Sequence, residues 1–330
     1  MLNRFDGPTI TLVVNPKAGR GRAGRVLPKV CSSLLAALPD VHLRVHRATS
    51  YDDARLRTIQ AVDAARPGTD GEPSLDTLVV MGGDGMAHLG INACASTDVP
   101  LGVIPAGTGN DFCRSAGLPV TLRGAVQTIV SRTVVSIDLN EVTGDLIDGA
   151  ERRWVGCSVC TGYEAVVSQG ASRSPIQLGG LTYGITALRE LARFSPVSYE
   201  LEIDGESRRL DAMFATVCNG AYFGGGMKVA PHADLTDGEL DLTIVHPVPR
   251  SLLLRLLPRM YDGSFTKHPA VELVRAKHVR VRTHPSTIAD GDGELLGHTP
   301  VDVRAARGAL RLVVPATRTP VREVNRDRTR

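Results

Sequence analysis

Leu78-Val79-Val80-Met81-Gly82-Gly83-Asp84-Gly85 and Leu101-Gly102-Val103-Ile104-Pro105-Ala106-Gly107-Thr108-Gly109-Asn110-Asp111-Phe112 decide how this chain folds. In each, an apolar strand runs straight into a glycine-rich turn that carries an aspartate. Glycines set this close let the backbone turn sharply and aim successive N–H groups into one concavity, the arrangement that holds anions such as phosphates. An aspartate in such a turn repels a phosphate unless a cation lies between them. Mg²⁺ suits that position, because it takes one or two carboxylates together with substrate phosphates. A single Gly-Gly-Asp-Gly reads equally well as a tight turn. Two such turns, each at a strand's C-terminal edge, point to a ligand site, since open α/β sheets bind there.

Upstream, Thr9 to Val14 is a short apolar strand ending in Asn15-Pro16-Lys17-Ala18-Gly19-Arg20-Gly21, with a helix expected from about Ala23 to Leu38. Gly19, Gly21 and Gly24 satisfy the dinucleotide-binding spacing, but the acid that motif needs after the second strand is missing, since His46-Arg47 ends Val41 to Val45. A P-loop fails too, because Arg25-Val26 stands where Lys-Ser/Thr is required. Helical spacing over Asp52 to Ala65, Met86 to Ala95 and Arg123 to Val130 alternates with the strands, which predicts a parallel sheet with crossover helices. From Val134 the texture changes to strands joined by polar turns: Val134 to Val142, Arg153 to Cys160, Val197 to Ile203, Ser207 to Cys218, Gly238 to Val245, Val279 to Thr283 and Pro300 to Val303. That pattern reads as an antiparallel sandwich with one helical insert, Leu181 to Phe194.

Gly82 to Gly85 together with Pro105 to Arg114 resembles the catalytic domain of the diacylglycerol and sphingosine kinases, and more narrowly the soluble bacterial lipid kinases. NAD kinases and 6-phosphofructokinases share the first turn, whereas the Gly-Thr-x-Asn-Asp-Phe run favours the lipid kinases. The resemblance covers roughly Thr9 to Pro315. It implies an NAD kinase-like, Rossmann-type α/β domain over 9–133, joined by a returning segment 308–316 that includes strand Ala309 to Val314. A C-terminal antiparallel β-sandwich for the lipid substrate follows over 134–307, with the active site in the cleft between them and a basic tail over 317–330.

The resemblance also implies an activity: Mg²⁺-dependent transfer of the γ-phosphate of ATP to the hydroxyl of diacylglycerol or a related lipid alcohol. Asn15, Pro16, Lys17, Ala18 and Gly19 would line the nucleotide phosphates with Gly82, Gly83, Asp84 and Gly85, while Thr108 and Asn110 orient them. Thr49 corresponds to a family threonine near the nucleotide. Met86 stands where the family usually carries threonine, and His88 reads as a helix-surface or nucleotide-edge residue. Asp84 and Asp111 are the expected Mg²⁺ ligands. The run Gly224-Gly225-Gly226 to Asp241 matches a family loop that resembles a structural Mg²⁺ site, which implicates Leu235 and Asp237; its third position falls on His232, a departure. The family's acid–base Asp-Gly-Glu maps onto Asp292-Gly293-Glu294, with Asp290-Gly291-Asp292 as the alternative register. Without the resemblance, that stretch is a solvated hairpin.

The bulk numbers suit this reading. The chain has 330 residues, 42% hydrophobic and 22% charged, enough for two domains each with its own core. Apolar runs are strand-length and no basic-then-apolar leader opens the chain, so a cytoplasmic protein is expected. Net charge is only +3, which does not suggest nucleic acid. Six cysteines lie mostly in apolar stretches; Cys157 and Cys160 form a CxxC with no second pair, so buried free thiols are expected. Arginines gathered between Thr317 and Arg330 read as a disordered tail or an attachment to anionic lipid. Ser251 to Tyr261 puts Leu253, Leu256, Leu257 and Met260 on one face with Arg255 and Arg259 elsewhere. Such a helix either packs on the sandwich or makes reversible, peripheral contact with a membrane. Bacterial members of the family are often dimers, so a homodimer is compatible. Two other readings remain: a soluble-substrate kinase of the NAD kinase type, and a catalytically silent nucleotide- or lipid-binding regulator.

Overall fold

The computed structural model describes residues 7–69, 71–162 and 195–317. The helix read over Leu181 to Phe194, and all of the tail from 318 onward, lie outside the described residues. Four parallel strands open the fold: β1 (Thr9–Val14), β2 (His42–Arg47), β3 (Thr77–Gly82) and β4 (Leu101–Pro105), in the order β4-β3-β1-β2. β3 and β4 are buried almost throughout, as continuous apolar strands covered on both faces should be. Helices α1 (Ala18–Ala37), α2 (Tyr51–Asp63) and α3 (Asp84–Cys94) make the crossovers, followed by α4 (Asp111–Ser115) and α5 (Leu122–Ser131). Local sequence sets their starts. The Ser50 side chain accepts the Asp53 N–H at the head of α2, and Thr121 accepts the Gly124 N–H at the head of α5. α1 departs from expectation, because Gly19, Arg20 and Gly21 have φ of 57°, 58° and 80° and form a left-handed turn before the right-handed helix takes over.

The second half is antiparallel. β5 (Thr133–Leu146), β6 (Arg153–Val155), β7 (Ser158–Gly162), β8 (Val197–Ile203), β9 (Glu206–Ala212) and β10 (Phe214–Cys218) lead to the short pair β11 (Tyr222–Phe223) and β12 (Met227–Lys228). β13 (Leu240–Val245), β14 (Val271–Ala276), β15 (His278–His284), β16 (Ile288–Gly291) and β17 (Glu294–Val314) complete it. The expected strand Ser207 to Cys218 divides into β9 and β10, with the intervening Met213 N–H bonded to the Val245 carbonyl at 2.7 Å. β14 and β16 go unseen in the sequence because one mixes Glu and Arg into its alternation and the other is four residues ending in Asp-Gly.

β17 is the element that assembles the molecule. It starts at an acidic bend, pairs antiparallel with β5 along most of its 21 residues, and meets β4 in parallel at Leu312↔Leu101. The strand carrying the second glycine turn and the acidic bend therefore belong to one sheet. A register shift between Ala306 and Leu310 is pinned by Asp138 of β5, whose Oδ1 accepts the Gly308 N–H at 2.7 Å while Oδ2 accepts the Gly238 N–H at 2.6 Å.

Asp76, just ahead of β3, ties the edge of the first sheet together. Its oxygens accept the Thr9 N–H at 2.7 Å, the Arg66 N–H at 2.9 Å, and the Arg66 guanidinium at 2.7 and 2.9 Å. Burial alone would raise the carboxyl; the Arg66 guanidinium and the two N–H groups outweigh it and hold Asp76 at about 2, below the ordinary 3.8. The stability this contributes is complete above 3.8 and is lost as pH falls through about 2. Asp76→Ala is expected to cost about 2 kcal/mol at pH 7, on the scale of hydrogen bonds to a charged group. Urea unfolding at pH 7 and pH 2 checks this: the gap from the parent protein should narrow at the lower pH.

Candidate active site

The two glycine turns are stacked on each other. The Gly82 carbonyl accepts the N–H groups of Ala106 and Gly107 at 2.7 and 3.1 Å, and a Cβ placed on Gly107 would overlap the Gly83 Cα. Only glycine allows that approach. Gly107→Ala is expected to destabilise the protein by roughly 1–3 kcal/mol, the usual cost of overpacking, and to lower activity more than stability. Thermal unfolding and turnover measured together check that ordering.

Each aspartate is placed by backbone. Gly83 caps α3 and puts Asp84 in its first turn. From there Asp84 Oδ2 accepts the Asn110 N–H at 2.7 Å and Oδ1 the Phe112 N–H at 3.3 Å, so the acid of the first turn holds the second. Asp111 Oδ2 accepts the Gly225 N–H at 2.6 Å, from the triple-glycine run of the other half. Its Oδ1 is buried without a partner among the described residues. Burial raises both carboxyls, and the Asp84 charge adds to burial in pushing Asp111 up to about 7.

A divalent cation fits this pair. An orphaned buried oxygen, on a carboxylate crowded by a second one, is a donor set that a cation would satisfy. Among the described residues no three His, Cys, Asp or Glu side chains gather as a self-sufficient site. Mg²⁺ takes one or two carboxylates and draws its remaining ligands from water and substrate phosphates.

The third acidic bend divides its labour. Asp292 has φ 54° and is half-buried, with Oδ2 accepting the Gly156 N–H at 2.6 Å and Oδ1 the Cys157 and Ser158 N–H groups at 2.9 and 3.1 Å. Burial pushes it up to about 6 against those three donors, with the Asp84 charge adding a little. Asp290, the alternative register, is buried in β16 and accepts the Gly293 N–H at 3.0 Å, bracing the bend. Glu294, the first residue of β17, reaches out instead. It borders a cavity of about 610 Å³, and a Cβ on Gly85 would lie 2.8 Å from its Oε1. Burial raises the Glu294 carboxyl, a hydrogen bond from Tyr51 opposes this, and the Asp292 charge adds to it.

That cavity gathers most of the residues singled out in the sequence. Asn15, Lys17, Ala18 and Gly19 form one wall with Arg20, and Thr49 another with Ser50 and Tyr51. Gly83, Asp84, Gly85 and Met86 line it from α3, Gly107, Thr108 and Gly109 from the second turn, and Glu294 from β17. Thr49 is held in place, its N–H and Oγ1 both donating to Asp53 Oδ2 at 2.9 and 3.1 Å.

Other expected residues stand behind this wall. The Pro16 carbonyl accepts the Gly24 N–H, and the Gly82 carbonyl joins the two turns. Asn110, read as a phosphate-orienting side chain, folds onto its own turn: Oδ1 accepts the Gly107 N–H and Nδ2 donates to the Gly107 carbonyl, both at 3.1 Å. Its φ of 55° is what brings the side chain back. His88 is not on a helix surface. It is buried in α3 with Nε2 3.2 Å from Asn92 Nδ2, and burial, then the Arg153 charge, push it down to about 4. Leu235 and Asp237 are engaged elsewhere as well. The Leu235 carbonyl accepts the Asp138 N–H at 2.7 Å; Asp237 is ion-paired with Arg275 and its Oδ1 accepts the Glu239 N–H at 2.9 Å. The cation expected there meets a carboxylate already neutralised by an arginine. Among the described residues, all six cysteines are unbridged, five of them buried and Cys31 half-buried. Tyr51 escapes sequence reading altogether, because its partner lies on β17 and no local pattern marks it.

Glycine-rich turns and the carboxylates of Asp84 and Glu294 around one cavity suit phosphotransfer, and comparison with known proteins gives the class, a kinase phosphotransferase. Residues 9–142 match the diacylglycerol kinase catalytic domain, and residues 157–314 match the YegS C-terminal NAD kinase beta sandwich-like domain. The chain belongs to the diacylglycerol kinase family and is, at family level, a lipid kinase. It is 33% identical over 316 residues to a diacylglycerol kinase of Mycobacterium tuberculosis, covering 95% of this chain and 97% of that one. A diacylglycerol kinase of Staphylococcus saprophyticus is 25% identical, over 88% of this chain and 90% of its own length. The fold matches a solved structure of a diacylglycerol kinase from Bacillus anthracis, with TM-score 0.70 at 22% identity, covering 94% of this chain and 97% of that one.

Proposed function

We propose that the chain transfers the γ-phosphate of ATP to the hydroxyl of diacylglycerol or a similar lipid alcohol, with Mg²⁺. The observation that supports this is the shared cavity: glycine-rich turns from one half face a half-buried glutamate from the other. We assign residues 9–133 and 308–316 to the nucleotide side and 134–307 to the lipid side. Phosphoryl transfer asks for held phosphates, stabilised charge and an oriented hydroxyl more than for covalent work. Backbone N–H groups of Gly83 to Gly85 at the head of α3 would take the phosphates, with Lys17 supplying positive charge beside them. In the Asn15–Gly19 turn, which lines the same cavity, the N–H groups of Asn15, Lys17 and Ala18 are spent on Met81 and on Asn15 itself. Asp84 and Asp111 would hold Mg²⁺, which when bound neutralises charge developing on the phosphate oxygens. Glu294 would take the proton of the acceptor hydroxyl as its oxygen bonds to the γ-phosphorus and the bond to the β–γ bridging oxygen breaks, releasing ADP. Asp292 already accepts three N–H groups and keeps the bend in shape, leaving Glu294 as the base.

The acceptor comes from a bilayer, and among the described residues no helix is long and apolar enough to cross one. The Arg250–Leu256 helix buries Leu253 and Leu256 against the sandwich, as does Met260 beyond it, while Leu254, Arg255, Arg259 and Tyr261 stay exposed. That outer face supports reversible attachment at the membrane surface. The test is a panel of acceptors with γ-labelled ATP and Mg²⁺: diacylglycerol, a sphingoid base, ceramide and NAD. Label in a lipid alcohol is the expected result. Label in NAD alone would favour a soluble-substrate kinase, and nucleotide binding without any transfer would favour a silent regulator.

A further inference from the structure

One side chain in the cleft has no part in the chemistry above. Tyr51 is the first residue of α2, on the wall that also carries Thr49, and its ring borders the same cavity as Glu294. The two meet over Gly85: a Cβ there would lie 2.8 Å from Glu294 Oε1 and 3.9 Å from the Tyr51 ring. Burial and the nearby Glu294 carboxylate both raise the Tyr51 phenol, so its hydroxyl stands as a donor within reach of that carboxylate. This proximity joins a helix of the first half to the first residue of β17, whose bend, among the described residues, is otherwise braced from its own half, by Asp292 on Gly156 to Ser158 and by Asp290 on Gly293.

We infer that Tyr51 is a positioning residue that holds one oxygen of Glu294 so that the other faces the acceptor hydroxyl, an inference that rests on Glu294 being the base. A glutamate has three side-chain torsions, and a base must stand within about 2.6–3.2 Å of the proton it takes. Backbone strain cannot supply that aim for a side chain at a strand end; a phenol fixed at a helix start can. Gly85 lies beneath both, and a Cβ there would push on the Glu294 carboxylate. The alternative use of such a tyrosine, as a platform for the nucleotide, makes an opposite kinetic prediction.

Tyr51→Phe keeps the ring and removes the hydroxyl, and Tyr51 is half exposed, so the fold should be undisturbed. Expected is about a tenfold loss of kcat, below the 10²–10⁴-fold that the base itself contributes because the base is still present, with KM for ATP unchanged. In a Glu294→Gln background the same substitution should have no further effect on the residual rate, because the group it positions is gone. A raised KM for ATP at unchanged kcat would make Tyr51 a nucleotide contact and overturn the inference. So would parental kinetics in Tyr51→Phe beside a crippled Glu294→Gln enzyme. Full activity in Glu294→Gln would instead overturn the base assignment itself.

Discussion

Asp111→Asn should abolish lipid phosphorylation while leaving the protein folded. Asp111 Oδ1 is a buried oxygen with no partner among the described residues, and burial with the neighbouring Asp84 charge keeps its proton on up to about pH 7. A carboxylate so placed costs stability when nothing compensates it, and the proposed cation would supply that compensation. Asparagine keeps the acceptor that Gly225 uses and removes only the charge. The loss in kcat/KM is expected at about 10³-fold, roughly 4 kcal/mol of transition-state stabilisation. Stability should be unchanged or slightly higher, since a crowded pair of acids has been relieved. Isothermal titration with Mg²⁺ and thermal unfolding separate the two effects: weakened cation binding with an intact melting transition is the expected combination. Equal cation affinity in parent and variant would remove Asp111 from the metal site.

Glu294→Gln is the second large effect. Glutamine matches the shape and can still accept from Tyr51, but it cannot take a proton. Because the proton is transferred only as the reaction proceeds, kcat should fall by about 10²–10⁴-fold with little change in KM for ATP. Asp292→Asn is expected to fail differently. Its oxygens satisfy three backbone N–H groups between β6 and β7, so the loss should register as lower stability as well as lower activity. Comparing the two variants by urea unfolding and by initial rates distinguishes a chemical role from a scaffolding one.

The parts of this molecule legible in its sequence are those whose cause is local. Gly82-Gly83-Asp84-Gly85 and Gly107 to Phe112 announce tight turns at two strand ends; that the turns stack, with Gly107 against Gly83, is seen only in the structure. The parallel order of the first half follows from strand–helix alternation, and the sandwich from the loss of helical spacing after Val134. What escapes is whatever depends on a distant partner. Asn110 looks like a phosphate contact, yet its left-handed backbone returns the side chain to Gly107. His88 looks exposed on a helix start, but β6 covers it, and Asn92 ties the two together through the Trp154 backbone. Leu235 and Asp237 resemble cation ligands until Asp138 and Arg275 arrive from other strands. The length of β17 is likewise invisible, since Gly297, Pro300 and Gly308 suggest interruptions that the sheet absorbs as register shifts.

The central claim is that carboxylates from both halves converge on one triphosphate and its cation. Single-turnover transfer of labelled γ-phosphate from ATP·Mg²⁺ to diacylglycerol in mixed micelles, run on the parent protein and on Asp84→Asn, tests it most directly. Rapid transfer by the parent, and none by a variant that keeps its melting temperature, is the expected result. Undiminished transfer by Asp84→Asn would contradict it.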